Sequence, residues 1–151
     1  ANNPGVISLT ATDCDDVELN NLLHYSGVTT IQLLGTTKRA TLRGCTAPGV
    51  LTNTAAALID SDTAMPSTGS AAALAPKATT THVTGTTNIT SITATNFKPG
   101  DVLTLIFDGV LTFTHGNNIK LAGAANFTTA ADSMIVLKFD GTNFYEQSRK
   151  A

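Results

Sequence analysis

The densest group of ionisable side chains is Asp13, Asp15, Asp16 and Glu18, four carboxyls within six residues. Such a group could form a Ca²⁺-binding corner or supply half of the carboxyl pair that sugar hydrolysis requires. The plainer reading, a solvated turn between two strands, is preferred. His24, His82 and His115 are far apart, and none has the short-range partner of a metal motif. Cys14 and Cys45 have neither CxxC nor metal-ligand spacing, so they read as small buried hydrophobes rather than as a disulfide. A serine or cysteine nucleophile finds no local support: there is no GxSxG turn, and neither cysteine has a recognisable histidine partner. The "GTTK" at Gly35 to Lys38 lacks the second glycine and the strand-to-helix setting of a phosphate loop. No catalytic residue, no resident metal and no cofactor is therefore assigned.

Composition narrows the classes further. The chain has 151 residues, enough for one compact domain or two small ones, with 13% charged residues and a formal net charge of −2. So few charges suggest surface hidden in an assembly. Nine Lys and Arg are scattered and outnumbered by eleven acids, which argues against nucleic acid as a partner. No apolar run is long enough to insert into a membrane as a helix, and the start has no signal-peptide pattern. The opening "ANNPGVISL" reads like the middle of a folding chain, hence a fragment or a processed product. Thr, Ala, Gly and Asn dominate alongside β-branched residues, and long amphipathic helical patterns are scarce, so the expected class is all-β.

The opening third contains a repeat. Gly5 to Leu22 lies over Gly27 to Cys45: Ile7 and Leu9 fall on Ile31 and Leu33, while Val17, Leu19 and Leu22 fall on Ala40, Leu42 and Cys45. Each unit has two short alternating strands and a polar corner, as one coil of a parallel β-helix requires, because equivalent apolar side chains must stack from coil to coil. A third, poorer copy starts at Gly49. Residues 1–60 are thus expected as β-helix coils. Residues 61–81, "SDTAMPSTGSAAALAPKATTT", are punctuated by Pro66, Gly69 and Pro76 and read as a connector.

Residues 82–151 read as short strands of a small antiparallel β-sandwich or jelly roll. In "KPGD", Pro99 and Gly100 stand where a type II turn wants them. Asp108-Gly109 predicts a two-residue hairpin pairing Phe107 with Val110, Ile106 with Leu111 and Leu105 with Thr112. One of its faces carries Leu103, Leu105, Phe107 and Val110; the other carries Val102, Ile106, Leu111 and Phe113, so both look buried. A last hairpin is predicted at Asp140-Gly141, pairing Phe139 with Thr142 and Leu137 with Phe144, with Ile135, Leu137, Phe139 and Phe144 on its apolar face.

β-Helix coils followed by a compact β-domain containing "IKLAGAANF", a hydrophobic strand, "FDGTNFYE" and "SR" resemble the distal, carboxy-terminal end of bacteriophage tail spikes and appendage proteins. Podovirus appendages like that of phage phi29 are among the similar types. The resemblance implies a parallel homotrimer at the host-facing end of the virion tail, joined to the rest of the spike. Its function would be to hold three chains in register, cap the solenoid and assist assembly. The hairpin's second face, Val102, Ile106, Leu111 and Phe113, would then be the trimer interface. Near a threefold axis His82 or His115 could each supply three metal ligands. Two alternatives stay open. One is a module that binds host-surface polysaccharide, for which Tyr145, Asn143, Asn117 and Asn118 offer an aromatic ring and amides. The other is an assembly domain that cuts itself from its parent, with Asn2, Asn3 or Asp13 assisting. Glycan depolymerisation would belong to an upstream region.

Overall fold

The computed structural model describes residues 7–12, 16–20, 29–35, 37–43, 50–53, 58–61 and 65–151. Among them there is no α-helix; a single 3-10 turn spans Ala122–Ala124, and every other regular element is a strand. The chain falls into two compact units, Ala1–Ala64 and Met65–Ala151.

The first unit contains β1 (Ile7–Thr12), β2 (Asp16–Asn20), β3 (Thr29–Leu34), β4 (Arg39–Arg43), β5 (Val50–Asn53) and β6 (Leu58–Ser61). Odd strands form one parallel sheet, β1-β3-β5, and even strands another, β2-β4-β6. This alternation is a β-solenoid in which each strand pair is one coil. The second half of the repeat has the register read from the sequence, with Val17 opposite Ala40 and Leu19 opposite Leu42. The first half is shifted by two: Leu9, not Ile7, lies opposite Ile31, and Ala11 lies opposite Leu33. A two-residue slip keeps every side chain on its face, so apolar alternation alone cannot distinguish the two registers. The third copy is present as β5 and β6, with Leu51 opposite Ile31 and Ile59 opposite Ala40. At the corner between β3 and β4, Gly35 takes a φ of 62° and the fully buried Thr37 donates its hydroxyl to Leu34 O at 2.9 Å. Asn2, Asn3, Asp13, Cys14, Asp15, Leu22, His24, Cys45 and Gly49 lie outside the described residues.

The second unit holds β7 (Ser67–Gly69), β8 (Ala73–Leu74), β9 (Thr80–Thr84), β10 (Ser91–Ile92), β11 (Val102–Phe107), β12 (Thr112–Phe113), β13 (Ile119–Lys120), β14 (Phe127–Thr128), β15 (Ser133–Phe139) and β16 (Phe144–Lys150). Its main sheet has the order β13-β16-β15-β11-β9-β7. Strands β7, β9 and β11 are parallel, as are β8 and β10, so the coil pattern recurs here. Antiparallel pairing enters with β15 on β11, β16 on β15 and β12 on β14.

Much of the expected connector is therefore structural. Residues 65–81 contain β7, β8 and the start of β9, and they bury Thr68, Leu74, Ala78 and Thr81. Thr68 and Thr81 share a hydrogen bond of 3.1 Å between their hydroxyls, and Thr81 donates to Pro66 O at 2.8 Å. Apart from Leu74, the buried residues here are small or hydroxylated, which is why the segment lacks the bulk that marks a core in a sequence.

The expected hairpin at Asp108-Gly109 does not form. Both edges of β11 are taken, by β9 and by β15, so residues 110–113 have no place beside it. Asp108 instead extends the β9 pairing, donating its N–H to Val83 O at 3.0 Å, after which the chain leaves the sheet. Phe113 pairs with Phe127 on β14 and bridges Ile89. It folds back over the same core as Phe107, with ring centroids 5.8 Å apart. Val110, expected inside, is 62% exposed.

The last hairpin forms with a two-residue shift. Phe139 faces Phe144 rather than Thr142, and Asp140 to Asn143 make the turn. Ile135, Leu137, Phe139 and Phe144 are buried, and the two phenyl rings stack at 4.5 Å. The Lys98–Asp101 turn is as read: Gly100 has a φ of 96°, and Asp101 donates its N–H to Lys98 O at 3.0 Å.

Candidate functional site

The two-residue period of a strand sorts the main sheet into an inner and an outer face. Leu103, Leu105 and Phe107 of β11, Val83 of β9 and Ile135, Leu137 and Phe139 of β15 point to the core. The alternate positions are less covered and form rows across the strands. Ser67, His82, Ile106, Met134 and Lys150 stand in one register row; Val102, Lys138 and Tyr145 stand in another. Val102 is 46% and Tyr145 43% exposed, while Ile106, Met134 and Val136 are half-buried.

Of the four proposed trimer-interface residues, the structure thus places Val102 and Ile106 on this outer face. Leu111 and Phe113 are buried within the chain's own core at 3% and 0% exposure.

At one end of the face, His82 Nδ1 and Asp108 Oδ1 are 2.6 Å apart. His82 comes from β9 and Asp108 from just beyond β11, so parallel pairing rather than sequence proximity brings them together. Both side chains keep access to solvent, 38% and 42% exposed. Ser67, opposite His82 on β7, is exposed and has no side-chain partner among the described residues. Local spacing could not have revealed this juxtaposition, because Ser67 and His82 belong to the adjacent parallel strands β7 and β9 and Asp108 follows the next one, β11.

At the other end, Tyr145 lines a shallow cleft of about 290 Å3 with Pro99, Gly100, Lys138, Phe139, Asp140 and Gln147. Asp140 Oδ1 accepts the N–H of Asn143 at 2.7 Å and of Thr142 at 2.8 Å. These two amides, with a further contribution from the Tyr145 hydroxyl, hold the Asp140 carboxyl below its ordinary pKa. Of the four residues considered for sugar recognition, Tyr145 lines this cleft, and Asn143 stands in the adjoining turn.

Asn117 and Asn118 are elsewhere and have backbone roles. Asn117 takes a φ of 39° in the turn between Gly116 and Ile119, and its carbonyl accepts Lys120 Nζ. The Asn118 amide occupies both polar groups of Ile92, accepting its N–H at 3.0 Å and donating to its carbonyl at 2.7 Å. His115 Nδ1 accepts the Leu121 N–H at 3.0 Å, which fixes the ring as a backbone anchor. His82 and His115 are engaged by different partners, and no cluster of three metal-binding side chains occurs among the described residues. Of the two described acids in this group, Asp16 and Glu18, Asp16 is 3.8 Å from Arg39, its register partner on β4.

Sequence reasoning assigned no role to the pair on β16. Glu146, with a side chain only 5% exposed, accepts the Ala122 N–H at 2.8 Å and Arg149 Nε at 2.7 Å. The Arg149 guanidinium lies 5.0 Å from the Phe127 ring centroid. Among the described residues, no helix is long and apolar enough to cross a membrane. No family model matches this chain, and comparison with curated proteins and with solved structures finds no match to it.

Proposed function

We propose that this chain is the distal domain of a phage tail spike, a trimeric unit that ends the solenoid and assists assembly of the three chains at the host-facing end of the tail. The observation that carries the reading is the outward apolar group of Val102, Ile106, Met134, Val136 and Tyr145, partly exposed and interrupted by Thr104 and Lys138, on the sheet where parallel coils give way to the antiparallel pair β15 and β16. A solenoid needs such an ending, because another parallel strand would otherwise extend its edge. Packing the strip against two further copies would remove it from water, at about 25 cal/mol per Å2. The test is the molar mass by light scattering on the eluting peak. A mass near three times the 15.6 kDa chain, falling to one chain in the Ile106→Asp variant, is expected. A wild-type monomer at high micromolar concentration overturns the reading.

The cleft beside Tyr145 favours a second reading, a module that contacts host-surface polysaccharide. An exposed aromatic ring beside an ionised carboxylate and an amide suits a sugar ring, and the volume lies at the lower bound for small-ligand pockets. Adsorption to host envelope that is lost in Tyr145→Ala supports it; equal adsorption by both proteins removes it.

A further inference from the structure

We infer that Ser67, His82 and Asp108 form a latent acyl-transfer site on the outer face of the main sheet. This goes beyond the capping role: the site stands on β7, β9 and the end of β11, at the edge of the sheet beside the strip on β11, β15 and β16. Three observations converge. Asp108 holds His82 by Nδ1 at 2.6 Å, the contact that orients an imidazole and leaves Nε2 to act as a base. Ser67 is the register neighbour of His82 on β7, one strand spacing of ~4.8 Å away and on the same face. Its hydroxyl is exposed and has no side-chain partner among the described residues, so it need only turn about χ1 toward the imidazole.

Backbone geometry supplies a fourth element. Pro66 O accepts the His82 N–H at 3.1 Å, and Ser70 N–H donates to Thr84 O at 2.6 Å. Even-numbered positions of β7 therefore face β9, whereas Ser67 and Gly69 direct their amides to the opposite side. That side carries no further strand of the sheet among the described residues. The Ser67 N–H is thus available to a developing oxyanion, as the nucleophile's own amide is in serine acyl transfer.

The suited substrate class is a small, accessible carboxylic ester such as an acetyl ester, because the face is open rather than enclosed. Ser67 Oγ would bond to the acyl carbon while its proton passes to His82 Nε2. Collapse of the tetrahedral adduct would break the ester C–O bond, and the leaving alkoxide would take that proton. Water would then attack the acyl-serine, give a proton to Nε2 and release the acid, with the proton returned to Ser67. Asp108 touches no reacting atom and is a positioning residue.

The test uses the full chain and an alkyl fluorophosphonate, which forms an O–P bond with an activated serine as fluoride leaves. Peptide mass spectrometry is expected to place a single adduct on Ser67, absent in Ser67→Ala. The labelling rate is expected to fall at least tenfold in His82→Gln and in Asp108→Asn, with melting temperatures that match wild type. Ser67→Cys provides a second measurement: its alkylation by iodoacetamide at neutral pH should slow at least fivefold when His82→Gln is added. No adduct on Ser67, an adduct only on another serine, or rates indifferent to both His82 and Asp108 would overturn the inference and leave the pair as a structural tie between β9 and β11.

Discussion

Asn118 shows how one side chain can do the work of a strand. Its amide reproduces the donor and acceptor of a neighbouring backbone for Ile92, at an end of β10 where the two-residue strand β8 is the only ladder partner in the described structure. Asn118→Leu leaves the N–H and carbonyl of Ile92 without these bonds and should cost about 2–3 kcal/mol. Asn118→Asp keeps the acceptor but sets a carboxylate against the Ile92 carbonyl, and should be at least as destabilising. Urea unfolding midpoints of both variants check the pair. Asp140 makes a pH prediction at the same scale. Its folded-state pKa lies below the unfolded value because the Asn143 and Thr142 amides favour the ionised form. The turn is therefore fully supported above the ordinary carboxylate range and loses this support as pH falls through the depressed folded pKa. The protection factors of the Thr142 and Asn143 amides, taken against the intrinsic exchange rate at each pH, should fall on acidification in wild type and should show no such pH dependence in Asp140→Ala. The type II turn at Pro99-Gly100 was legible because its residue types have one meaning. The roles of Asn117 and Asn118 were not, since the same amides serve a turn, a clamp or a ligand.

Among the elements, β16 carries the most informative irregularity. Leu137 pairs with Glu146 but Val136 pairs with Ser148, so Gln147 is an extra residue in the strand. In a regular strand, residues three apart lie on opposite faces. The bulge reverses the alternation, putting Glu146 opposite inward Leu137 and Arg149 opposite inward Ile135, which allows their ion pair to form on one face. Together they hold Ala122 and Phe127, so the "LAGAANF" and "FYEQSR" segments of the sequence meet here in a structural lock. Arg149→Leu should strand the nearly buried Glu146 without its cation, at a cost of about 2–4 kcal/mol, read as a lowered urea midpoint. Gly85 offers a further check on an element boundary. Its φ is 91°, and an added Cβ would lie 2.7 Å from Ser70 Oγ, the group that accepts the Thr87 N–H. Gly85→Ala should destabilise the β9 end by about 1–2 kcal/mol, visible as a lower melting temperature. Element reading from the sequence did well where strands alternate strongly, as in β11 and β15. It failed at Asp108-Gly109 because a turn signal states only that the chain can reverse. Whether an edge is free to receive the returning strand is decided by β9 and β15, which lie far away in sequence.

For the whole molecule, the β-solenoid was legible because repetition transmits its register from coil to coil. The boundary between units was not, because coils filled by Thr and Ala look like linker. Residues 65–81 carry a core of hydroxyls and methyls that no hydrophobicity pattern separates from a polar spacer. Association belongs to this scale as well. If the outer strip is shared between copies, the melting temperature should rise with protein concentration, and Val102→Asp should abolish the dependence. A concentration-independent melting temperature in wild type would count against the shared face.

The position of β11 between β9 and β15 also dictates when the sheet can be completed. As the chain is synthesised, β11 meets β9 at once, but its other edge waits until residues 133–139 have emerged. During that interval Leu103, Leu105 and Phe107 belong to a half-built core with an open hydrogen-bonding edge, the condition in which nascent chains pair with the wrong neighbour. An edge left open over that interval is a hazard for yield, and a bound chaperone that covers it should raise the soluble fraction.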